Sequence, residues 1–263
     1  QTILLQFAKQ IQSLWTEAEQ AYIHFAHTKS VLMASTNQLR NRLQDILKRM
    51  GIAMGKELGT RDLGADRVIG RRVLKTQNKR DKAANVRAKR IRYLVFRNKK
   101  ARGLVKTGLV SSMAYAASNL GSSPTALRTR ERSIVTALNM PRGACATTSI
   151  VWHVGVGMIP SVKYRTAVIA DYLRYLREHP GQQQRITSTW DTVNKYLQKY
   201  KTPWTQAAGP IAGAILTVRD MHWEPTSAYE WHEGEDSLQY DASIPLEDIL
   251  QQVRDRNEKL QWH

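Results

Sequence analysis

Apolar residues recur at three- and four-residue intervals through most of this chain, and at two-residue intervals in two short places. In "TILLQFAKQIQSLWTEAEQAY", Leu4, Phe7 or Ala8, Ile11, Leu14 or Trp15 and Ala18 fall on one helical face and predict an opening amphipathic helix. "YIHFAHTKSVLMAS" alternates instead, with Ile23 and Phe25 before "HTK" and Val31 and Met33 after it, the pattern of a strand pair or one bent strand. "TNQLRNRLQDILKRMG" returns to the helical period: Leu39, Leu43, Ile46, Leu47 and Met50 share a face and Gly51 stops it. The glycine-punctuated "GIAMGKELGTRDLGAD" follows.

Further helices are predicted downstream. Within 71–106, Ala84, Ala88, Ile91, Leu94 and Val95 leave a narrow apolar stripe. The small, apolar "GLVSSMAYAASNLG" precedes "SSPTALRTRERSIVTAL", where Ser123 is a good N-cap with Pro124 at the first helical position. "VKYRTAVIADYLRYLREHPG" is a helix stopped by Pro180 and Gly181. "ITSTWDTVNKYLQKY" is another, with Trp190, Val193, Leu197 and Tyr200 as its face, and "GPIAGAILTVRDMHW" has the composition of a buried helix. Tyr229 and Trp231, then Leu238 and Tyr240 beyond "HEGED", alternate as a hairpin would, and a last helix starts at Pro245 with Leu246, Ile249, Leu250 and Val253 inward. The expected fold class is α+β, mainly helical, with β structure near 22–70 and 226–244. Three parts are expected: 1–70, a basic helical 71–205, and an acidic 206–263. No internal repeat or low-complexity tract appears.

Charge changes the picture more than composition does. The chain has 263 residues, 42% of them hydrophobic, which is enough to bury a core. Its formal net charge is +18, and it is unevenly spread. Arg67 to Lys106 holds sixteen Lys or Arg against one acid, Asp81, whereas Asp220 to His263 holds three against eleven acids. Such a basic balance implies an anionic partner. One cysteine, Cys145, excludes an internal disulfide and a Cys-rich zinc site, and points to a reducing, intracellular compartment. No apolar run reaches the roughly 18 residues of a membrane span, so no membrane partner is expected. Gln1 rather than Met opens the sequence, so an upstream portion is expected.

The basic stretch is the principal functional candidate. Its cations are Arg71, Arg72, Lys75, Lys79, Arg80, Lys82, Arg87, Lys89, Arg90, Arg92, Arg97, Lys99, Lys100, Arg102 and Lys106. Lys and Arg that neutralise nucleic-acid phosphates release condensed counterions, which is the driving force of phosphate contact. The plain alternative is a solvated helix face, but such faces mix signs at i, i+4, and that mixing is missing here. A membrane surface or an acidic protein is the other alternative. Tyr93 and Phe96 within the run either stack on bases or pack against the body.

Other candidates are weaker. His24 and His27 are poorly spaced for zinc, and His222 and His232 sit among Trp and acids, so structural roles are expected. The glycines lack the strand, loop, Lys and helix order of a phosphate cradle. Two-metal chemistry needs clustered carboxylates, but the adjacent acids Glu235–Asp236 and Glu247–Asp248 sit in a polar turn and at a helix N-terminus. No nucleophile elbow appears. No catalytic residue, metal or cofactor is therefore assigned.

Taken in order, the motifs resemble those of a reverse transcriptase, of the non-long-terminal-repeat type found in dinoflagellates. "HTKSVLMAST" resembles the lysine-bearing strand after that family's catalytic hairpin, and "NQLRNRLQDILKRMGI" the helix that follows. "TRDLGAD" at 60–66 resembles a short turn, "TGLVSSMAYAASNLGSSPTALRTRER" a helix after an Arg/Lys-rich stretch, and "GPIAGAILTVRDMHWEPTSAYEW" a helix, Trp and strand module. The likeness covers nearly all of the chain. It implies a palm-edge remnant, a helical thumb-like region and a C-terminal hairpin plus helix. Lys29 would take the palm lysine position, "DLG" at Asp62 to Gly64 the primer-grip turn, and the basic stretch the thumb surface that holds duplex nucleic acid. The catalytic aspartates of the family lie upstream of this region and have no counterpart here. The resemblance thus implies a non-enzymatic RNA-binding subunit of a large ribonucleoprotein, derived from a retroelement. A mitochondrial ribosome is the expected setting, with the acidic C-terminus either docking a neighbouring basic protein of the assembly or shielding the basic surface. The alternative is the C-terminal fragment of an active RNA-directed DNA polymerase whose catalytic half is elsewhere.

Overall fold

The computed structural model of the chain describes residues 2–23, 30–32, 34, 36–56, 59–62, 65–68, 72, 74–115, 117–141, 145–234 and 236–262. It is mainly helical. Helix α1 (Thr2–Gln20) turns Leu4, Ala8, Ile11, Trp15 and Ala18 inward, so Ala8 and Trp15, not Phe7 and Leu14, complete the predicted face. Strand β1 (Val31–Leu32) pairs in parallel with β2 (Gly55–Lys56). Between them α2 (Asn37–Arg49) is capped by the Thr36 hydroxyl, which accepts from Leu39 N, and ends at Gly51 with φ +79°. Leu43 and Leu47 of α2 join Ala8, Leu32 and Ile52 in a small core. Most of the alternating stretch around "HTK" lies outside the described residues, as do His24, His27 and Lys29.

Strands β3 (Gly59–Asp62) and β4 (Ala65–Val68) form an antiparallel pair that leads into α3 (Lys75–Arg97). A short 3₁₀ segment, Lys99–Arg102, and a π-helical turn, Val105–Val110, connect α3 to α4 (Ser111–Ala114). Helices α5 (Pro124–Ala137), α6 (Ala146–Val154) and α7 (Pro160–Glu178) follow. Ser123 caps α5 through its hydroxyl, with Pro124 in the first turn, as the sequence predicts. The pattern along 140–160 gave no element, because the short α6 fully buries little beyond Ser149 and Ile150 and so carries no apolar period.

Helix α7 is the spine between two cores. Its first turns give Val162 and Tyr164 to a core with α3, α5 and α6, and its later turns give Val168 to Leu176 to a core with α8 (Gln183–Gln198), α9 (Pro210–Asp220) and α10 (Leu246–Lys259). The second core runs continuously across the expected boundary at 205/206. Its centre is aromatic: Trp190 and Trp231 stack with centroids 6.3 Å apart, and Tyr172 lies 5.2 Å from Trp190 while its hydroxyl donates to Ala228 O at 2.8 Å. Trp231 enters from β5 (Glu230–Glu233), which pairs antiparallel with β6 (Asp236–Gln239) so that Trp231 faces Leu238. Both are buried, which explains the period-two pattern. The α8 face is Ile186, Trp190, Val193 and Leu197; Tyr200 lies past the helix end and is exposed.

The two cores are stitched together at the start of α3. The Arg72 guanidinium donates to Leu120 O at 2.6 Å and Gly121 O at 2.7 Å and lies over Trp204, 5.2 Å from the ring centroid. Gly121, at φ +64°, leaves no room for a side chain: a Cβ would meet Trp204 at 2.9 Å. Across from it a Cβ on Gly213 of α9 would meet the Leu120 carbonyl carbon at 3.0 Å, so the two backbones touch where both residues are glycine.

Candidate nucleic-acid interface

Helix α3 begins without a side-chain cap on Leu74, and the job falls to Asp66 of β4. Its carboxylate accepts from Thr76 N at 2.9 Å and Gln77 N at 2.8 Å, satisfying two orphan amides and placing negative charge at the positive end of the helix dipole. Along the helix, Gln77, Ala84, Ala88, Ile91 and Val95 are buried. The two alanines let α3 lie close to α5, and they share one core with Leu127, Ile134 and Ala137 of that helix and Leu138 just past its end. Leu94 was expected in this stripe but is 45% exposed: one residue before Val95, it is turned away by about 100°.

The lone acid of the basic stretch faces inward. Asp81 accepts from Arg130 Nε at 3.1 Å and Nη2 at 2.9 Å, a bidentate pair, while the Arg130 Nη1 donates to Ser122 Oγ at 2.7 Å. The Arg130 guanidinium is almost fully buried over the Tyr164 ring, 4.6 Å from its centroid. Gln77 Nε2 donates to Asp81 Oδ1 and to Met113 O, tying α3, α4 and α5 at one point. Arg130 and its neighbours are absent from the sequence-derived set. The signal that points to them is Asp81 itself, since a single carboxylate among so many cations needs a specific reason.

Among the fifteen cations, the side chains seen holding fixed bonds to the fold are arginines. Arg71 lies outside the described residues, and Arg72 is held inside the fold, where burial and the nearby positive charge of Arg130 lower its pKa to about 10. Arg72 therefore leaves the phosphate-facing set. Arg80 donates to Tyr115 O at 3.3 Å and lies over that ring, Arg87 to Gly108 O at 3.0 Å in the π-turn, and Arg92 Nε to Asn139 Oδ1 at 3.0 Å. Arg102 donates to His153 Nδ1 at 3.1 Å, since a guanidinium can only donate, and burial and the Arg102 charge lower the His153 pKa. Lys75, Lys79, Lys82, Lys89, Lys99, Lys100 and Lys106 are all exposed, as are Arg90 and Arg97, and Arg87 and Arg92 are exposed too while they hold their bonds. Arginine's planar fork suits fixed bonds to carbonyls, and lysine's flexible stem leaves its charge outward. Lys163 of α7 adds a cation that sequence reasoning missed: burial, then the Lys106 charge, depress its pKa.

The aromatic question resolves toward solvent: Tyr93 is 61% and Phe96 71% exposed, with the Arg97 guanidinium 5.6 Å from the Tyr93 centroid. The acidic C-terminal residues pair locally, Glu233 with Arg256, Glu247 with Arg254 and Glu230 with His232. Glu247 and Asp248 lie in the first turn of α10, and Glu235 lies outside the described residues. Cys145 is exposed ahead of α6, its thiol pKa lowered by hydrogen bonds from Thr148. Among the described residues no group of three or more His, Cys, Asp or Glu could hold a metal ion, and no helix is long and apolar enough to cross a membrane. No protein-family model matches the chain, and neither a curated protein nor a solved structure does.

Proposed function

We propose that the chain is a non-catalytic RNA-holding protein, a structural part of a ribonucleoprotein, with α3 and the segment after it laid against phosphates. The observation that carries this is the inward turn of Asp81: the one acid of the stretch is consumed by Arg130, so the outward face of α3 is left with Lys79, Lys82, Lys89 and Arg90 and no alternating carboxylates. A face kept soluble by charge alone gains from mixed signs; a face of one sign gains only when a polyanion covers it. Descent from a reverse-transcriptase thumb accords with a helical, cation-rich element that holds duplex or single strands without chemistry of its own.

Binding of labelled RNA measured against salt tests the reading. With about 6 to 10 phosphates engaged, affinity falls on the order of 10³-fold or more between 50 and 200 mM salt. Reversing Lys79, Lys82, Lys89 and Arg90 to Glu together weakens binding to all sequences alike and flattens the salt dependence. These four serve better than Arg87, whose bond to Gly108 O belongs to the fold. Salt-insensitive binding, or no binding, sinks the reading; magnesium-dependent primer extension by this chain alone would establish an enzyme instead.

A further inference from the structure

The outer ridge of α3 is not uniform. Lys75, Lys79, Lys82, Val86, Lys89, Tyr93 and Phe96 succeed one another at intervals of four and three residues, opposite the buried Ala84, Ala88, Ile91 and Val95, and every one of them is exposed. At about 1.5 Å per residue the line runs on the order of 30 Å. Its first two-thirds carry four ammonium groups interrupted only by Val86; its last turn is two aromatic rings flanked by Arg90, Arg97, Lys99 and Lys100. Rings this exposed forfeit the burial that aromatic side chains ordinarily gain in a core, and they stand one helical turn apart among cations.

We infer that this end of α3 is a base-stacking platform, and that the RNA it takes has unpaired nucleotides there. This rests on the RNA-holding reading and narrows it. A paired duplex presents phosphates along its length but hides its base faces in the stack, so it has nothing to offer Tyr93 and Phe96; unpaired bases in a loop, bulge or single strand do. The strand's phosphates lie along Lys79, Lys82 and Lys89, and its bases turn onto the rings, with the Arg97 guanidinium beside Tyr93 extending the planar surface. An acidic protein partner fits less well, because its carboxylates would satisfy the lysines and leave both rings in water.

The test compares a single-stranded uridine oligomer with a fully paired RNA duplex of equal phosphate number, for the full chain and its Tyr93→Ala/Phe96→Ala variant. The variant should lose on the order of tenfold affinity per ring for the single strand, keep its duplex affinity, and keep the slope of log affinity on log salt. Tyr93→Trp/Phe96→Trp restores single-strand binding, and Tyr22→Ala, which removes a ring 89% exposed beyond the end of α1, changes nothing. Equal single-strand affinity for the double alanine variant and the parent overturns the platform while leaving RNA-holding intact. Binding of neither RNA by the parent chain overturns both.

Discussion

Helix α9 is wrapped nearly all round: seven consecutive residues, Ala212 to Val218, are buried, and the helix carries its charges, Arg219 and Asp220, only at its last turn. Helix α3, twice as long, buries one narrow line and turns cations to the rest of its circumference. The two are held by different means. Around α9 the packing of Trp190, Trp231, Tyr172 and Trp223 supplies contact area in every direction. Around α3 the stripe is too thin for that, and fixed polar bonds supplement it: Arg130 on Asp81, Asp66 on the first amides, Arg72 on the Leu120 and Gly121 carbonyls. A helix with so narrow an apolar stripe has fewer apolar contacts with which to hold its position, and polar anchors take over that task.

The largest effect is expected where that anchoring is broken. Asp81→Asn leaves the Arg130 guanidinium buried with its counter-charge removed, which costs about 3 to 5 kcal/mol. Replacing both partners, as Asp81→Leu with Arg130→Met, removes the charge as well as its partner and recovers most of that loss. Urea unfolding midpoints at unchanged m-value measure both. Equal destabilisation by the single and the double variant would show that α3 is held by its apolar stripe after all, and the contrast with α9 would dissolve.

Much of this contrast was legible in the sequence. Long periodic segments such as α1, α2, α7 and α10 announce themselves because their apolar positions are many and evenly spaced, and α9 by an almost unbroken apolar composition. The hairpin was readable because Trp231 and Leu238 face one core at a period of two. What was not legible depends on contacts between residues far apart in the chain. Arg130 reads as one more cation in "LRTRERS" until Asp81, 49 residues earlier, is seen beside it. Arg72 reads as part of a basic run although its role is to grip two carbonyls near position 120. Composition gave the sign of the surface, and the fold decided which cations belong to it.

A smaller, pH-dependent effect separates the two regions from the other side. Asp220 closes α9 at a cavity of about 300 Å³ lined also by Glu131, Ser161, Arg165 and His222. Burial raises its pKa from 3.8 to about 6, against the pull of Arg165, and burial also raises that of Glu131. A raised folded-state value means that the folded form holds its proton more tightly than the unfolded chain. The contribution is fully present below pH 3.8 and is lost as pH rises through about 6. With one pKa unit worth about 1.4 kcal/mol, stability in this window falls by roughly that much per pH unit. Asp220→Asn abolishes the larger part of this slope in thermal scans from pH 4 to 7, Glu131 supplying the remainder.

The smallest expected effect concerns the one anchor that acts on α3 through its backbone. Asp66→Ala removes two hydrogen bonds to the Thr76 and Gln77 amides and the negative charge at the helix N-terminus, a loss of about 1 kcal/mol. Asp66→Asn keeps an acceptor and gives back part of it. Because the cap touches only the first turn, the change frays α3 at Lys75 and leaves the buried stripe from Ala84 to Val95 packed against α5. Amide exchange is therefore faster at Thr76 and Gln77 and unchanged at Ile91 and Val95. Exchange that rises along the whole of α3 would mean that the cap, and not Asp81 with Arg130, sets the position of the helix.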